Sequence, residues 1–541
     1  MNYKCSFSNR FVQNLGTALF LAWSFASATL HAQAPAFAWA KQPQGPGIAS
    51  ASAAATDASG NIYVTGYVST TNVTFGTITL TNSGASDVFL LKYDPAGNVV
   101  WARQAGGNGF TGLSLCLDGS GNIFVAGYFT AGNTSFGSST LTNTIGTHCF
   151  VMKYDSSGNP VWATQSSGNG NEFGKKVTSD VMGNVYLTGE FTGTNCTFGA
   201  NTFDTSQNSP FGSDVFVAKY DQQGNLLWAK RAGGQSDDHA GGVGVDAAGN
   251  CYIAGTFSGL TMNIENISLN SAGYYDNIFL AKYNDQGNLL WAKGAGGTGF
   301  DWGNALAVDS TGISYITGVL GSSVATFNTI TITNRGLNDM FVAKYDNAGN
   351  ILWATNSGGT GYDGAFDIAL DSAENAYVLG EFRSPVSIFG NTTLRNSSGN
   401  EQMFVAKFDK DGSPIWAQQT TGGGSVAGPT GIAVDSQGNT YTVGFFETNA
   451  VFGNTSLATG DYTMFVAKLN GPPLLKISVA AGQLVLSWPT YQTGFIPEGA
   501  SGLDANATWT PLTNSVSIMG DQNVVTNEIS ITSKFYRLWK H

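Results

Sequence analysis

Histidine, cysteine and charge are all scarce in this sequence, and each shortage excludes something. Of four histidines in 541 residues only His148 and His239 lie away from the chain ends, which leaves no zinc-type ligand spacing. Gly-x-Ser-x-Gly elbows and dense Asp-x-Asp-x-Asp-Gly loops are missing too, so neither a nucleophilic serine nor a calcium loop is signalled, and no catalytic residue, metal or cofactor is implied. Charged residues make up 11% of the chain, the formal net charge is −12, and Lys and Arg form no cluster. Phosphate neutralisation needs such a cluster, so nucleic acid is excluded as a partner. Long Ala/Glu/Leu/Lys runs of helical period are absent, while Gly reaches 71 residues and aromatics 12%, a balance that favours short strands and tight turns.

The first 34 residues carry Lys4 and Arg10, an apolar stretch from Leu15 to Ala28, and the small-residue sites Ala26-Ser27-Ala28 and Ala32-Gln33-Ala34. That order is expected of a secretory signal peptide, and the apolar run is short for a membrane span. No later segment is long and apolar enough for one, so a secreted or cell-surface protein is expected. Cys116, Cys149, Cys196 and Cys251 fall at different points of the repeat described next, without CxxC, and read as individually buried small residues.

The element Asp-x-x-Gly-Asn-x-Tyr begins at Asp57 and recurs at Asp118, Asp180, Asp246, Asp309, Asp371 and Asp435, with spacings of 61 to 66 residues. A second element, Lys-Tyr-Asp-x-x-Gly-Asn-x-x-Trp-Ala, starts at Lys92, Lys153, Lys219, Lys282, Lys344 and Lys407 and breaks off after Lys468. Each period holds four strand signals, here A to D. The A–B and C–D links are Asp-x-x-Gly-Asn turns, in which Asp bonds the backbone ahead and Gly takes positive φ cheaply. Strand C, as in Val215-Phe216-Val217-Ala218, is almost continuously apolar, which requires cover on both faces of its sheet.

An open array of such units needs polar end caps, and none is seen. Phe37-Ala38-Trp39-Ala40-Lys41 matches strand D and precedes the first strand A with no A, B or C of its own. The economical solution is an all-β, seven-bladed β-propeller, residues 35–470, whose N-terminal strand completes the last blade. The repeated Asp-x-x-Gly-Asn-x-Tyr-x-x-Gly and Phe-x-x-Lys-Tyr-Asp-x-x-Gly-Asn-x-x-Trp elements resemble the SBBP-type propeller repeat of secreted bacterial proteins, and strands A and B resemble NHL repeats. The resemblance implies a fold and an extracellular setting, and no catalytic residues. Gly471-Pro472-Pro473 then breaks the repeat, and residues 471–541 are expected to form a small sandwich-like β module for sorting, partner contact or end-capping.

The B–C and D–A links are long and lie at one end of each blade, so binding groups are expected there. Five B–C links carry Phe-Gly (at Phe75, Phe136, Phe198, Phe389 and Phe452), which reads as an extra hairpin with a buried Phe. The D–A links carry Asp238 with His239, Asp301 with Trp302, and Tyr362 with Asp363. At the channel mouth such acids beside aromatic faces suit a sugar or a cation; the other reading has the aromatics plugging the channel and the acids capping turns. The expectation is a monomeric, non-enzymatic binding or scaffold protein for a glycan or a cell-surface protein. The alternative is a carbohydrate-active enzyme, a glycoside hydrolase or lyase, using carboxylates at the mouth.

Overall fold

The computed structural model describes residues 34–541 apart from 46, 70–71, 83, 107–108, 131, 206–211, 423, 426–427, 461, 472–474, 481–482, 490–494, 502–507, 520–521, 529–534 and 541, and apart from the side chains of 489, 539 and 540. The expected signal peptide, Ala34 aside, lies outside the described residues. Contacts between Cα atoms separate Pro35–Asn470 from a unit that includes Gly471–His541.

Within Pro35–Asn470 each repeat forms a four-stranded antiparallel meander, as in Ala49–Thr56, Ile62–Val68, Asp87–Tyr93 and Val99–Gly106. This all-β arrangement of many four-stranded sheets is consistent with a β-propeller. In the sheet built from Pro429–Val434, Thr440–Phe446 and Thr463–Leu469, the fourth strand is Phe37–Lys41, which pairs Ala40 with Ala467.

The third strands are buried on both faces, throughout Ser213–Tyr220 and Asn277–Tyr283, because neighbouring sheets cover them. Cores accordingly form between sheets: Tyr252 and Leu280 of one pack with Ile316 and Phe341 of the next. One such core joins Ile62, Val64 and Phe89 to Tyr441, Val443 and Met464, four hundred residues on about. Two hydrogen bonds link the same pair of sheets, from Thr430 Oγ1 to the Ala51 carbonyl at 2.8 Å and from Thr56 Oγ1 to the Val434 carbonyl at 3.2 Å.

All turns of the Asp-x-x-Gly-Asn kind fall at one end of the sheets. In the first, Asp57 Oδ1 accepts from the backbone amides of Ser59 and Asn61, and Oδ2 from the Asn61 side-chain Nδ2 and the Tyr63 hydroxyl. The lysine of each Lys-Tyr-Asp element lies over the aromatic ring that opens its neighbouring second strand, at 4.5 to 5.3 Å in all seven cases. Sheets are then clamped in sequence. Trp228 Nε1 donates to the Asp285 carbonyl in the next sheet's turn at 3.0 Å, and Trp162 and Trp353 do the same to Gln222 and Lys410. The ring of Trp228 covers Gly287 so closely that a Cβ there would sit 2.8 Å from it. The series runs through the chain ends, with Lys468 Nζ on the Pro95 carbonyl at 3.1 Å and Trp39 against Gly97.

The Gly471–His541 unit has a four-stranded and a three-stranded sheet. They share a core in which Leu486, Trp488 and Val525 meet Tyr536 and Leu538. The Arg537 guanidinium reaches Glu498 at 2.7 Å.

Candidate functional site

The end of the sheets opposite the turns carries the links between second and third strands and those between consecutive sheets. The Phe-Gly segments form two-stranded hairpins here, such as Asn72–Phe75 with Ile78–Thr81, and Phe75, Phe136, Phe198, Phe389 and Phe452 are all buried. Each hairpin docks on the link that enters its own sheet: Thr74 bridges to Gln44, Thr197 to Ser167, Ile388 to Gly358. Both long links are thereby stiffened.

Asp238, Asp301 and Asp363 open the first strands of three consecutive sheets and are fully buried. Each points back into its own link. Asp238 Oδ2 accepts the Gly234 amide at 2.6 Å, Asp301 Oδ2 the Gly297 amide at 2.7 Å, and Asp363 Oδ2 the Gly359 amide at 2.6 Å. Asp301 is also held by Ser322, and Asp363 by Ser384 and Ser387. Their carboxylates act as loop caps, which corresponds to the second of the two readings offered for the acids. Burial, aided by nearby Asp214, pushes Asp238 up to about 8, and burial raises Asp301 and Asp363 despite their donors. Glu172 occupies the equivalent place one sheet earlier, bonded to His148 Nδ1 at 2.7 Å and Ser166 Oγ at 2.9 Å.

The other three expected residues remain partly accessible. His239 is half-exposed with Nδ1 3.3 Å from Glu190 Oε1, a bond that raises its affinity for a proton. Trp302 is half-buried, its Nε1 donating to Asp276 Oδ2 at 2.6 Å. Tyr362 is exposed. Sequence reasoning did not single out Glu190, Lys175 or Glu381. Lys175 Nζ lies 3.5 Å from Glu190, which also receives His239. Burial pushes both glutamates up. At Glu190 the His239 and Lys175 charges outweigh it, so the carboxyl sits below its ordinary value; Glu381, beside Glu401, stays above. Both occupy the x of a Gly-x-Phe at the end of the second strand, where other repeats have Tyr67, Tyr128, Thr256 or Phe445. That departure was the available signal.

Every first strand slips register by one residue against the second, between Ala51 and Ala53 in one and between Ala365 and Asp367 in another. Beyond these bulges the first strands line a cavity of about 140 Å³, whose walls include Ala53, Ser114, Lys176, Gly242, Leu306, Asp367 and Ile432, one from each repeat. Lys176 Nζ stands 3.5 Å from Asp367 Oδ1. Among the described residues no group of three or more His, Cys, Asp or Glu side chains is placed to hold a metal ion. Among the described residues, Cys116, Cys149, Cys196 and Cys251 are all free thiols.

No family model matches the chain. It is 27% identical over 478 residues to an uncharacterized WD repeat-containing protein of Acanthamoeba polyphaga mimivirus, a match covering 73% of this chain and 34% of that one. It is 26% identical over 463 residues to the regulatory protein FlaEY of Caulobacter vibrioides, covering 76% and 45% respectively. The chain therefore spans less than half the length of either relative. Among solved structures, Sqt1 from Chaetomium thermophilum is 9% identical with a TM-score of 0.37, over 84% of this chain and 96% of that one. YCF48, solved with a D1 peptide, is 8% identical with a TM-score of 0.35, over 81% and 98%. The repeated four-stranded sheets are consistent with a β-propeller, and the chain is distantly similar to a WD repeat-containing protein.

Proposed function

We propose that residues 35–470 form a seven-bladed ring of the SBBP type, closed by Phe37–Lys41, and that the chain is a secreted or cell-surface binding or scaffold protein without catalytic activity, monomeric, whose partner docks on the loop end. The pairing of Phe37–Lys41 with Thr463–Leu469 and the bond from Lys468 to Pro95 support closure. The observation that carries the functional reading is the contrast between the two ends. At the turn end, acids, lysines and indoles are engaged in the same contacts repeat after repeat. At the loop end the links differ in sequence and hold exposed Tyr274, Tyr275, Phe300 and Tyr362 on a backbone stiffened from beneath. Export rests on the signal-peptide pattern in residues 1–34.

The test is retention of the purified chain on cell-envelope fractions of the producing cell. Phe300→Arg with Tyr362→Arg is expected to abolish retention, and Gln223→Trp at the turn end to leave it intact; the reverse pattern would refute the reading.

The enzymatic alternative has one observation in its favour, and it involves other carboxylates than those first expected. Glu190 and Glu381 both stand at the loop-end edge of a second strand, Glu190 held below its ordinary value by His239 and Lys175 and Glu381 pushed above it by burial. Polysaccharide turnover abolished by Glu381→Gln would promote it over the binding reading.

A further inference from the structure

The exposed large apolar side chains Tyr274, Tyr275, Phe300, Leu337 and Tyr362 at the loop end fall into two sets at equivalent positions, one repeat apart, the first with three rings and the second with a leucine and one ring. Tyr275 stands two residues before the third strand Asn277–Tyr283, and Leu337 two before Asp339–Tyr345; Phe300 stands one before Asp301 and Tyr362 one before Asp363. Each set is assembled by the same backbone bond across neighbouring sheets, from the Asp301 amide to the Asp276 carbonyl at 2.9 Å and from the Asp363 amide to the Asn338 carbonyl at 3.1 Å. In the first set Tyr275 and Phe300 meet edge to face at 4.7 Å. The five side chains Tyr274, Tyr275, Phe300, Leu337 and Tyr362 are 47 to 78% exposed. They are held in place from below, since the caps Asp301 and Asp363 pin both links to glycine amides.

Two matching platforms one repeat apart suit a ligand that itself repeats. Aromatic faces offer flat apolar surface and the hydroxyls of Tyr274, Tyr275 and Tyr362 a polar edge, which matches the apolar C–H face and hydroxyl rim of a pyranose ring. Charge narrows the class: the chain carries a formal −12 and Asp276 adjoins Tyr275, while of the cations beside the second platform Arg383 is paired with Glu401 and Arg335 lies by Asp339, so neither platform presents a basic patch to a polyanion. The geometry points to a neutral polysaccharide strand spanning both platforms, a ligand class that rests on the loop-end reading and makes it specific. Simultaneous engagement of two weak sites supplies the affinity.

The test is affinity electrophoresis of the full chain through gels containing a neutral β-glucan, a mannan or a xylan, with alginate as the polyanionic comparator. One neutral polysaccharide should retard the chain and alginate should not. Tyr275→Ala with Phe300→Ala, and separately Leu337→Ala with Tyr362→Ala, should each weaken retardation about tenfold, and all four together should remove it. Unchanged thermal unfolding would establish that these surface variants fold. No retardation by any neutral polysaccharide overturns the ligand class and leaves the loop-end reading to the envelope test. Retardation that survives the platform variants but fails in His239→Ala with Glu190→Gln also overturns it, with the site still at the loop end. Retardation lost only in Gln223→Trp with Ala348→Trp would overturn both.

Discussion

The turn end and the loop end of each sheet are built from the same repeat, yet they use their charged groups in opposite ways. At the turn end an aspartate meets amides, an asparagine and often a tyrosine hydroxyl. Burial pushes Asp57, Asp246 and Asp371 up, but these donors outweigh it and hold all three below the ordinary carboxylate range. At the loop end Asp238, Asp301, Asp339 and Asp363 have donors too, but burial wins and all four are raised. The turn end is thus a charged, hydrogen-bonded clamp whose plan recurs from repeat to repeat, with single partners lost at Ile313 and Trp39. The loop end buries these four acids, keeps Glu190 and Glu401 paired with cations, and exposes rings at two of its links, and there the repeats diverge.

The largest expected effect tests the proposed closure by the N-terminal strand. Deleting residues 35–41 removes the fourth strand beside Thr463–Leu469 and exposes its edge. Size-exclusion chromatography should then find aggregate in place of soluble chain, whereas an intact soluble species would deny the closure. A smaller effect separates the ends by single glycines. At Gly287, with φ +80°, an added Cβ meets the Trp228 ring at 2.8 Å, so Gly287→Ala should lower unfolding free energy by about 2–3 kcal/mol in urea titrations. Gly460, with nothing within 4 Å of such a Cβ, should tolerate alanine within about 0.5 kcal/mol.

Protonation gives the two ends opposite signs. Asp238 binds its proton up to about pH 8 when folded but only near 3.8 when unfolded. The stability it contributes is therefore full below its unfolded pKa and is lost as pH rises through the folded one. The lowered turn acids contribute stability above their unfolded pKa that is lost as pH falls. Thermal midpoints across pH should show Asp238→Asn flattening the fall between about pH 4 and about pH 8, and Asp246→Asn flattening the loss below about pH 4; coincident effects would erase the distinction. The smallest change is expected for Tyr274→Ser, within about 0.5 kcal/mol of the native stability by urea titration, because the ring is 78% exposed.

The repeat made the sheets and turns legible, since Asp-x-x-Gly-Asn has a mechanism that needs no tertiary context. Two repeats depart from that element, with Ile313 in place of Asn and Glu374 in place of Gly. Ile313 keeps the amide bond to Asp309 and loses the side-chain one, and Glu374 takes the left-handed φ of 62° that glycine elsewhere supplies. The lysine-on-ring contacts were hidden because Lys282 and Tyr252 lie far apart in sequence and meet only once strand register is known. The loop-end acids Asp238, Asp301 and Asp363 stand where their links enter the first strands, and the direction of their side chains depends on a local detail. Gly234 to Asp238, Gly297 to Asp301 and Gly359 to Asp363 share a four-residue step that lets the acid fold back on an amide. The outward residues were harder to find, because exposure of Tyr274 or Tyr275 follows from how links of neighbouring sheets pack, which no single repeat encodes.

Hydrogen exchange, measured on the chain free and on the chain held by the envelope fraction or polysaccharide that retains it, tests the division between the ends most directly. Slowing confined to residues 271–276, 298–302, 335–338 and 359–362 is the expected result. Slowing in the turns around Asp57, Asp246 and Asp371, with those links unchanged, would contradict the account.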